Sequence, residues 1–456
     1  MAGALHMLLG ILLAAAIRHR AMVPPGDPPP QTWLPQHAIA LRTSEPIADD
    51  SDLTPILPLV GNARVVALGD ATHGTHEFFT LHNRLAKFLI AQKGFRTVAL
   101  EGPYDLEALD QYVKTGEGDP AAALQVEAYF FWHVEEALEL VQWIRAWNAA
   151  GNPAVSIASI DSTVPTGATA AVVDYLRGID PAAAGRAAAR YDCLDSYWTN
   201  NSYYAYPPEY HAQCRDGVLA VRADVEAHRD GSDAFERALH AARVAEQSAE
   251  DFDTARLSRD QHLAENILWN AARAKTVVIG HMVHFGRIDY DFNGPVIVSA
   301  GELLAKELGA GYVTIASATY SGRVSNLLPT GVAAVDIVPP PATDVTQTLA
   351  RGAMPLMIVP LRNAPRWLNG KQQWRIAATN ANFAARPTFT INGDLVAGWD
   401  ALIYVESTSA TRLLPSPTSA DLSPTARTSR TVPGSTLRAP RAPSPRTPAR
   451  AGAYSR

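Results

Sequence analysis

Val65-Val66-Ala67-Leu68-Gly69-Asp70-Ala71-Thr72-His73-Gly74-Thr75-His76-Glu77 and, far downstream, Thr276-Val277-Val278-Ile279-Gly280-His281-Met282-Val283-His284 are built alike. Each opens as a short apolar run, passes through glycine and ends in ionisable residues. Apolar runs of this length, rich in β-branched residues, read as strands buried on both faces, the kind found in parallel sheets. In an open α/β sheet, side chains just past the carboxyl ends of strands line the ligand crevice. Two histidine-bearing ends of this kind point to one site on one rim. Imidazole is also the side chain best suited to proton transfer near neutral pH.

Outward from these stretches the chain alternates strand and helix. Arg64–Leu68 is the first strand, and Thr75–Lys93 follows as a helix, with Phe78, Phe79, Leu85, Phe88 and Leu89 near helical spacing. Thr97–Leu100 is a second strand ending on Glu101, and Ala154–Ile160 a third ending on Asp161. Helices are expected over Leu106–Val113 and Val134–Ala149. An Ala/Arg/Glu-rich helical block runs from about Thr166 to Lys275, broken by a tyrosine-rich loop at Tyr197–Pro208. Thr276–Ile279 returns to the sheet and Tyr312–Ala316 adds a strand. Strands joined by helices favour right-handed parallel crossovers. The expected fold class is α/β: a mostly parallel central sheet flanked by helices, with an inserted helical subdomain over residues 166–275.

The chain has 456 residues, 47% hydrophobic and 18% charged, enough for a large core. A net charge of −6 gives no general nucleic-acid surface. The two cysteines, Cys193 and Cys214, match no zinc spacing, and a single bridge between them would suit an exported protein. Leu8–Ile17 has the apolarity of a signal-peptide core, but no Lys or Arg precedes it and Arg18-His19-Arg20 follows it. That charge order leans towards the cytoplasm and leaves export open. The run is too short for a membrane-spanning helix, so no stable span is expected. Residues 1–37 are read as an apolar leader and a Pro-rich linker, 38–408 as the folded domain, and 409–456 as a Ser/Thr/Pro/Arg-rich tail too polar to fold.

The strand ends carry Asp70 and His73, Glu101, Asp161, and then His281 and His284. A histidine base that activates water needs a carboxylate to fix its tautomer and stabilise the imidazolium. Asp70 and Glu101 are the natural partners for His73, and a second imidazole would stabilise the oxyanion or protonate the leaving oxygen. There is no Gly-x-Ser-x-Gly nucleophile elbow, no phosphate loop and no dinucleotide fingerprint. Two other readings stay open. His73, His76, Glu77, His281 and His284 supply donors for zinc or iron. Tyr129, Phe130, Phe131 and Trp132 would line an apolar cleft, or simply pack in the core.

These motifs resemble those of the erythromycin esterase family. Residues 69–79 resemble its Gly-Glu-Ala-Thr-His-Gly motif, Gly94–Glu101 its second motif, and Ser159-Ile160-Asp161 its Gly-x-Asp element. Arg259-Asp260 with Ala264–Trp269 is similar to its Arg-Asp-x-x-Met-Ala-x-Asn helix. His281–His284 is similar to His-Asn-x-His, and Trp399–Tyr404 to its closing strand. The resemblance spans about Ile39 to Thr411. It implies an α/β protein with a helical subdomain, and a metal-independent hydrolase that needs no cofactor and cleaves an ester or lactone, such as a macrolide macrolactone. His73 would be the base, with Glu101, His281, His284 and Asp70 beside it, and His76, Asp161 and Trp132 on the substrate side. Asp70 stands where the family has glutamate, which predicts a lost or water-bridged hydrogen bond. Met282 stands where the family has asparagine, which predicts a missing amide. A binding protein that keeps the cleft without efficient catalysis is the alternative from a different class.

Overall fold

The computed structural model describes residues 26–415, apart from 47–48, 105–106, 126–129, 201–207, 254–257, 291–295, 329, 338–339 and 377–388. The apolar leader, Tyr129, most of the tyrosine-rich loop and the tail beyond 415 therefore lie outside the described residues. The described residues up to Leu414 form one compact unit.

In chain order this unit opens with α1 (Pro30–His37) and β1 (Ile39–Ala40), followed by β2 (Val65–Asp70), α2 (His76–Lys93) and β3 (Thr97–Leu100). Helices α3 (Glu107–Thr115) and α4 (Glu135–Ala149) lead to β4 (Ser156–Ser159). Four helices come next: α5 (Thr166–Ile179), α6 (Pro181–Asn200), α7 (Pro208–Glu226) and α8 (Asp233–Asp253). Then come α9 (Arg259–Arg273), β5 (Thr276–His281), α10 (Met282–Phe285), α11 (Ala300–Leu308), β6 (Tyr312–Leu328) and β7 (Gly331–Asp336). The unit closes with β8 (Leu356–Pro360), the small ribbon of β9 (Lys371–Ile376) and β10 (Phe389–Asp394), and β11 (Ala401–Thr408).

The main sheet runs β1-β8-β11-β6-β2-β5-β3-β4, with β7 paired to β6 beyond this path. From β11 to β4 every neighbouring pair is parallel; β8, β1 and β7 pair antiparallel. The fold is thus mixed α/β, with a mostly parallel centre. Strand β2 sits at that centre and is buried along its whole length. Its alternate side chains serve two cores. Val66 and Leu68 join Phe78, Leu85 and Leu140 on one face. Val65 and Ala67 join Leu263, Ile267 and Leu304 on the other. Helices α5–α8 enclose a separate apolar core around Val172, Tyr191, Val221 and Phe235, so the inserted helical block packs on itself.

Both expected chain boundaries move outward. The Pro-rich stretch expected to be a linker ends in helix α1, which starts at Pro30 and buries Trp33 and Leu34. Proline is tolerated there because a first-turn N–H has no helical partner to lose. At the other end, residues 409–414, expected to begin the tail, are strapped across the fold. Ala410 bridges to Thr75 and Leu413 to Val134. Ser409 donates through its amide and its hydroxyl to Glu77, and the Thr411 amide donates to the Gly74 carbonyl. A polar segment can order when its backbone groups find partners in this way.

Candidate active site

Strands β2 and β5 lie side by side, with Gly69 opposite Gly280 and Asp70 opposite His281. Both glycines are forced by close approach. A Cβ on Gly69 would lie 2.6 Å from the Met282 Cα, and one on Gly280 would lie 2.5 Å from the Glu101 Cβ and Oε2. The chain therefore passes through two bare positions and presents Asp70, His281 and Glu101 on one rim.

His73 follows β2 in a loop clamped from two sides. The Gly74 carbonyl accepts from both the Ser325 and the Thr411 amides. His73 Nδ1 stands 3.2 and 3.3 Å from the two Asp70 carboxylate oxygens, and its Nε2 is 4.0 Å from Glu101 Oε2. Its ring stacks on Phe131 at 4.1 Å and lies 5.0 Å from the His281 ring. Burial pulls the His73 pKa down, but the charge and hydrogen bond of Asp70, with the charge of Glu101, overcome this and leave it raised. His281 goes the other way: burial and the neighbouring His73 lower it to about 3, so it is neutral. No described residue hydrogen-bonds its ring.

Glu101 is the hub. Its Oε2 accepts the His281 amide at 2.6 Å, and its Oε1 accepts Arg259 Nη2 at 2.7 Å. Trp132 Nε1 donates to its main-chain carbonyl at 2.9 Å. Burial would raise this carboxyl, yet Arg259, His73 and the His281 amide hold it well below the usual carboxylate range. Asp161 is buried too, and Arg259 keeps it ionised through a second Nη2 bond at 2.5 Å. A guanidinium offers only donors. Its Nη1, 3.0 Å from His284 Nε2, therefore makes that nitrogen the acceptor and puts the ring proton on Nδ1, facing Asp260 Oδ1 at 2.8 Å. Tyr290 donates to the same oxygen at 2.8 Å, and the Ala300 amide donates to the other at 3.0 Å.

The structure thus gathers Asp70, His73, Glu101, Asp161, His281 and His284 on one rim, with Trp132 beneath. His76 is placed elsewhere. Its ring is held by Glu136 at 2.5 Å and Glu45 at 2.6 Å, and the Glu136 bond pushes its pKa up to about 9. Glu77 is taken by Ser409. Two of the five donors of the metal reading, His76 and Glu77, are therefore drawn away from the rim, and among the described residues no three His, Cys, Asp or Glu side chains are grouped to hold a metal ion. Asp70 still reaches His73 despite being shorter than glutamate. Met282 is wholly buried in the apolar core. Arg259, Asp260, Tyr290 and Phe131 are the parts that strand-end reasoning missed. Arg259-Asp260 stood out only as a motif, because it starts a helix rather than ending a strand.

A sequence profile described as erythromycin esterase matches residues 90–408, a span that holds Glu101, Asp161, Arg259, His281 and His284 but begins after His73. The chain is similar to an erythromycin esterase type II of Escherichia coli, 23% identical over 337 residues, covering 66% of this chain and 79% of the relative. Among solved structures, a Bacillus cereus protein is similar with a TM-score of 0.75 and 26% identity, over 84% of this chain and 98% of that one. An erythromycin esterase mutant in its open conformation is similar in fold, with a TM-score of 0.64 and 16% identity, over 81% and 96% of the two chains.

Proposed function

The chain belongs to the erythromycin esterase family, and from that premise we propose that it hydrolyses a carboxylic ester by direct attack of water, with His73 as the base. The observation that carries this reading is the setting of His73. Asp70 holds Nδ1 while Nε2 faces Glu101 across 4.0 Å, a gap whose two edges can both hydrogen-bond one water molecule. His73 Nε2 takes a proton from that water as its oxygen attacks the ester carbonyl carbon. The neutral His281 ring, with no hydrogen-bond partner among the described residues, donates its N–H to the oxyanion that forms. When the tetrahedral species collapses, the C–O bond to the alcohol breaks and the His73 imidazolium returns its proton to the alkoxide. Arg259 and His284 act by holding Glu101 and Asp161 in place, and are positioning residues. Trp132 supports the Glu101 end of the site and His76 clasps the chain beside it. A macrolactone is the substrate suggested by the name of the Escherichia coli relative.

The test is a panel of aryl esters, lactones and macrolides with the wild type and His73→Ala. Loss of a general base typically costs about 10²–10⁴-fold in rate, so the variant should lose at least a hundredfold in kcat with an unchanged circular dichroism spectrum, and chelators should leave the wild type unaffected. Full turnover by His73→Ala would sink the mechanism. Saturable binding of a lactone without turnover by the wild type would favour a binding protein instead.

A further inference from the structure

A cavity lies away from the catalytic rim, at the outer edge of β4, the last strand of the main sheet. It has a volume of about 230 Å³ and runs between β4, α3, α8 and α9. At about 30 Å³ per water, that is room for about eight waters, the size of a single-ring molecule. None of its lining residues belongs to the site around His73. Trp269, on its floor, lies ten residues beyond Arg259, about 15 Å along the same helix.

Its chemistry is cationic and aromatic. Arg96, Arg237 and Arg273 line it. Arg237 is paired with Asp233, but Arg96 and Arg273 form no ion pair among the described residues; their hydrogen bonds go to main-chain carbonyls. The one lining carboxylate, Asp110, is already spent on Lys114 and the Ile157 amide. Neither guanidinium is paired directly with an acid among the described residues, although Asp233 and Glu236 act on Arg273 at longer range; an anion in the partly enclosed cleft would pair with both. The aromatic part is His240, stacked on Trp269 at 3.9 Å with an interplanar angle of 9°. Arg273 lies over the same indole at 3.6 Å. His240 is only 8% exposed, and no described residue hydrogen-bonds its ring. Burial and the nearby Arg273 keep it neutral, lowering its pKa to about 3. A neutral, largely buried imidazole with no hydrogen bond among the described residues can take a polar ligand group beside it.

We propose that this cleft is a second binding site, for a small aromatic carboxylate. The acid faces Arg96 and Arg273, the ring packs against the His240–Trp269 stack, and a ring hydroxyl meets His240.

The experiment is calorimetric titration of the full chain with 4-hydroxybenzoate, benzoate, benzamide and inorganic phosphate, on the wild type, Arg273→Gln, His240→Phe and His73→Ala. Arg273 is exposed, so its replacement leaves the fold intact, and the thermal midpoint checks this. The proposal expects 4-hydroxybenzoate to bind wild type and His73→Ala alike, at least tenfold more weakly to Arg273→Gln, and no better than benzoate to His240→Phe. It expects benzamide and phosphate to bind at least tenfold more weakly than benzoate. No heat at millimolar ligand, unchanged affinity in Arg273→Gln, or loss of binding in His73→Ala would each overturn it. The same holds if benzamide or phosphate matches the aryl acid. Should His240→Phe unfold, the shift of the Trp269 indole N–H resonance on titrating the wild type replaces that arm, and an unmoved resonance counts against the site.

Discussion

As the proposed base, His73 would have to accept a proton readily and yet be unprotonated when the substrate arrives, and its neighbours set those two demands against each other. Asp70 and Glu101 raise its affinity for a proton beyond what burial takes away. The base works in its neutral form, so kcat/KM should climb as pH rises through a pKa above the ordinary 6.5 of histidine. Asp70→Asn removes the largest raising influence. The rising limb should then move to lower pH while the plateau falls by tenfold or more, and a pH–rate profile reads both. A limb that stays in place would show that Asp70 does not act on this proton. At this scale much was legible. Asp70, His73, Glu101, Asp161, His281 and His284 all follow apolar strands, and in a parallel sheet such positions share a rim. His76 was expected on the substrate side, but helix α2 begins at that residue and turns it towards Glu136 and Glu45. Arg259 gave no strand-end signal at all, although it ties together Glu101, Asp161 and His284.

Elements bring these residues together through two contacts with little tolerance. The first is the bare position at Gly280, where an added Cβ would strike the Glu101 side chain at 2.5 Å. Gly280→Ala should cost about 1–3 kcal/mol in urea unfolding and lower kcat by more than tenfold, because Glu101 is what must give way. The second is the 409–414 strap, which bonds Gly74 and Glu77 on one side and Glu136 on the other. A chain ending at Thr408 keeps every catalytic candidate yet loses the clamp. It should keep its secondary structure, unfold earlier on heating and turn over at least tenfold more slowly, checked by thermal melts and ester kinetics. Central strands were readable because burial on both faces writes them as apolar runs. The strap and α1 were not, since Ser/Thr-rich and Pro-rich segments carry no such pattern and order only through partners distant in sequence.

On the scale of the molecule, the helical block between β4 and β5 stands out, with an apolar core of its own. Its Ala-rich helices were legible; that they would bury a separate core was foreseen only as an insertion. Cys193 and Cys214 are bonded within it, their Cα atoms 5.8 Å apart. Closing a loop of 21 residues removes chain entropy worth about 3 kcal/mol from the unfolded state. Replacing both cysteines by serine should lower unfolding stability by about that amount, measured in urea with and without reductant, and leave ester kinetics unchanged. Such a bond persists in oxidising compartments, so its presence in protein taken from the native cell reports where the chain folds. The strap has a consequence in time. A ribosome makes the β2 loop early, but the residues that hold it still are among the last of the fold to emerge. On the proposed mechanism, the growing chain would carry its base for most of synthesis without the means to aim it, and hydrolysis would begin only when the fold is finished.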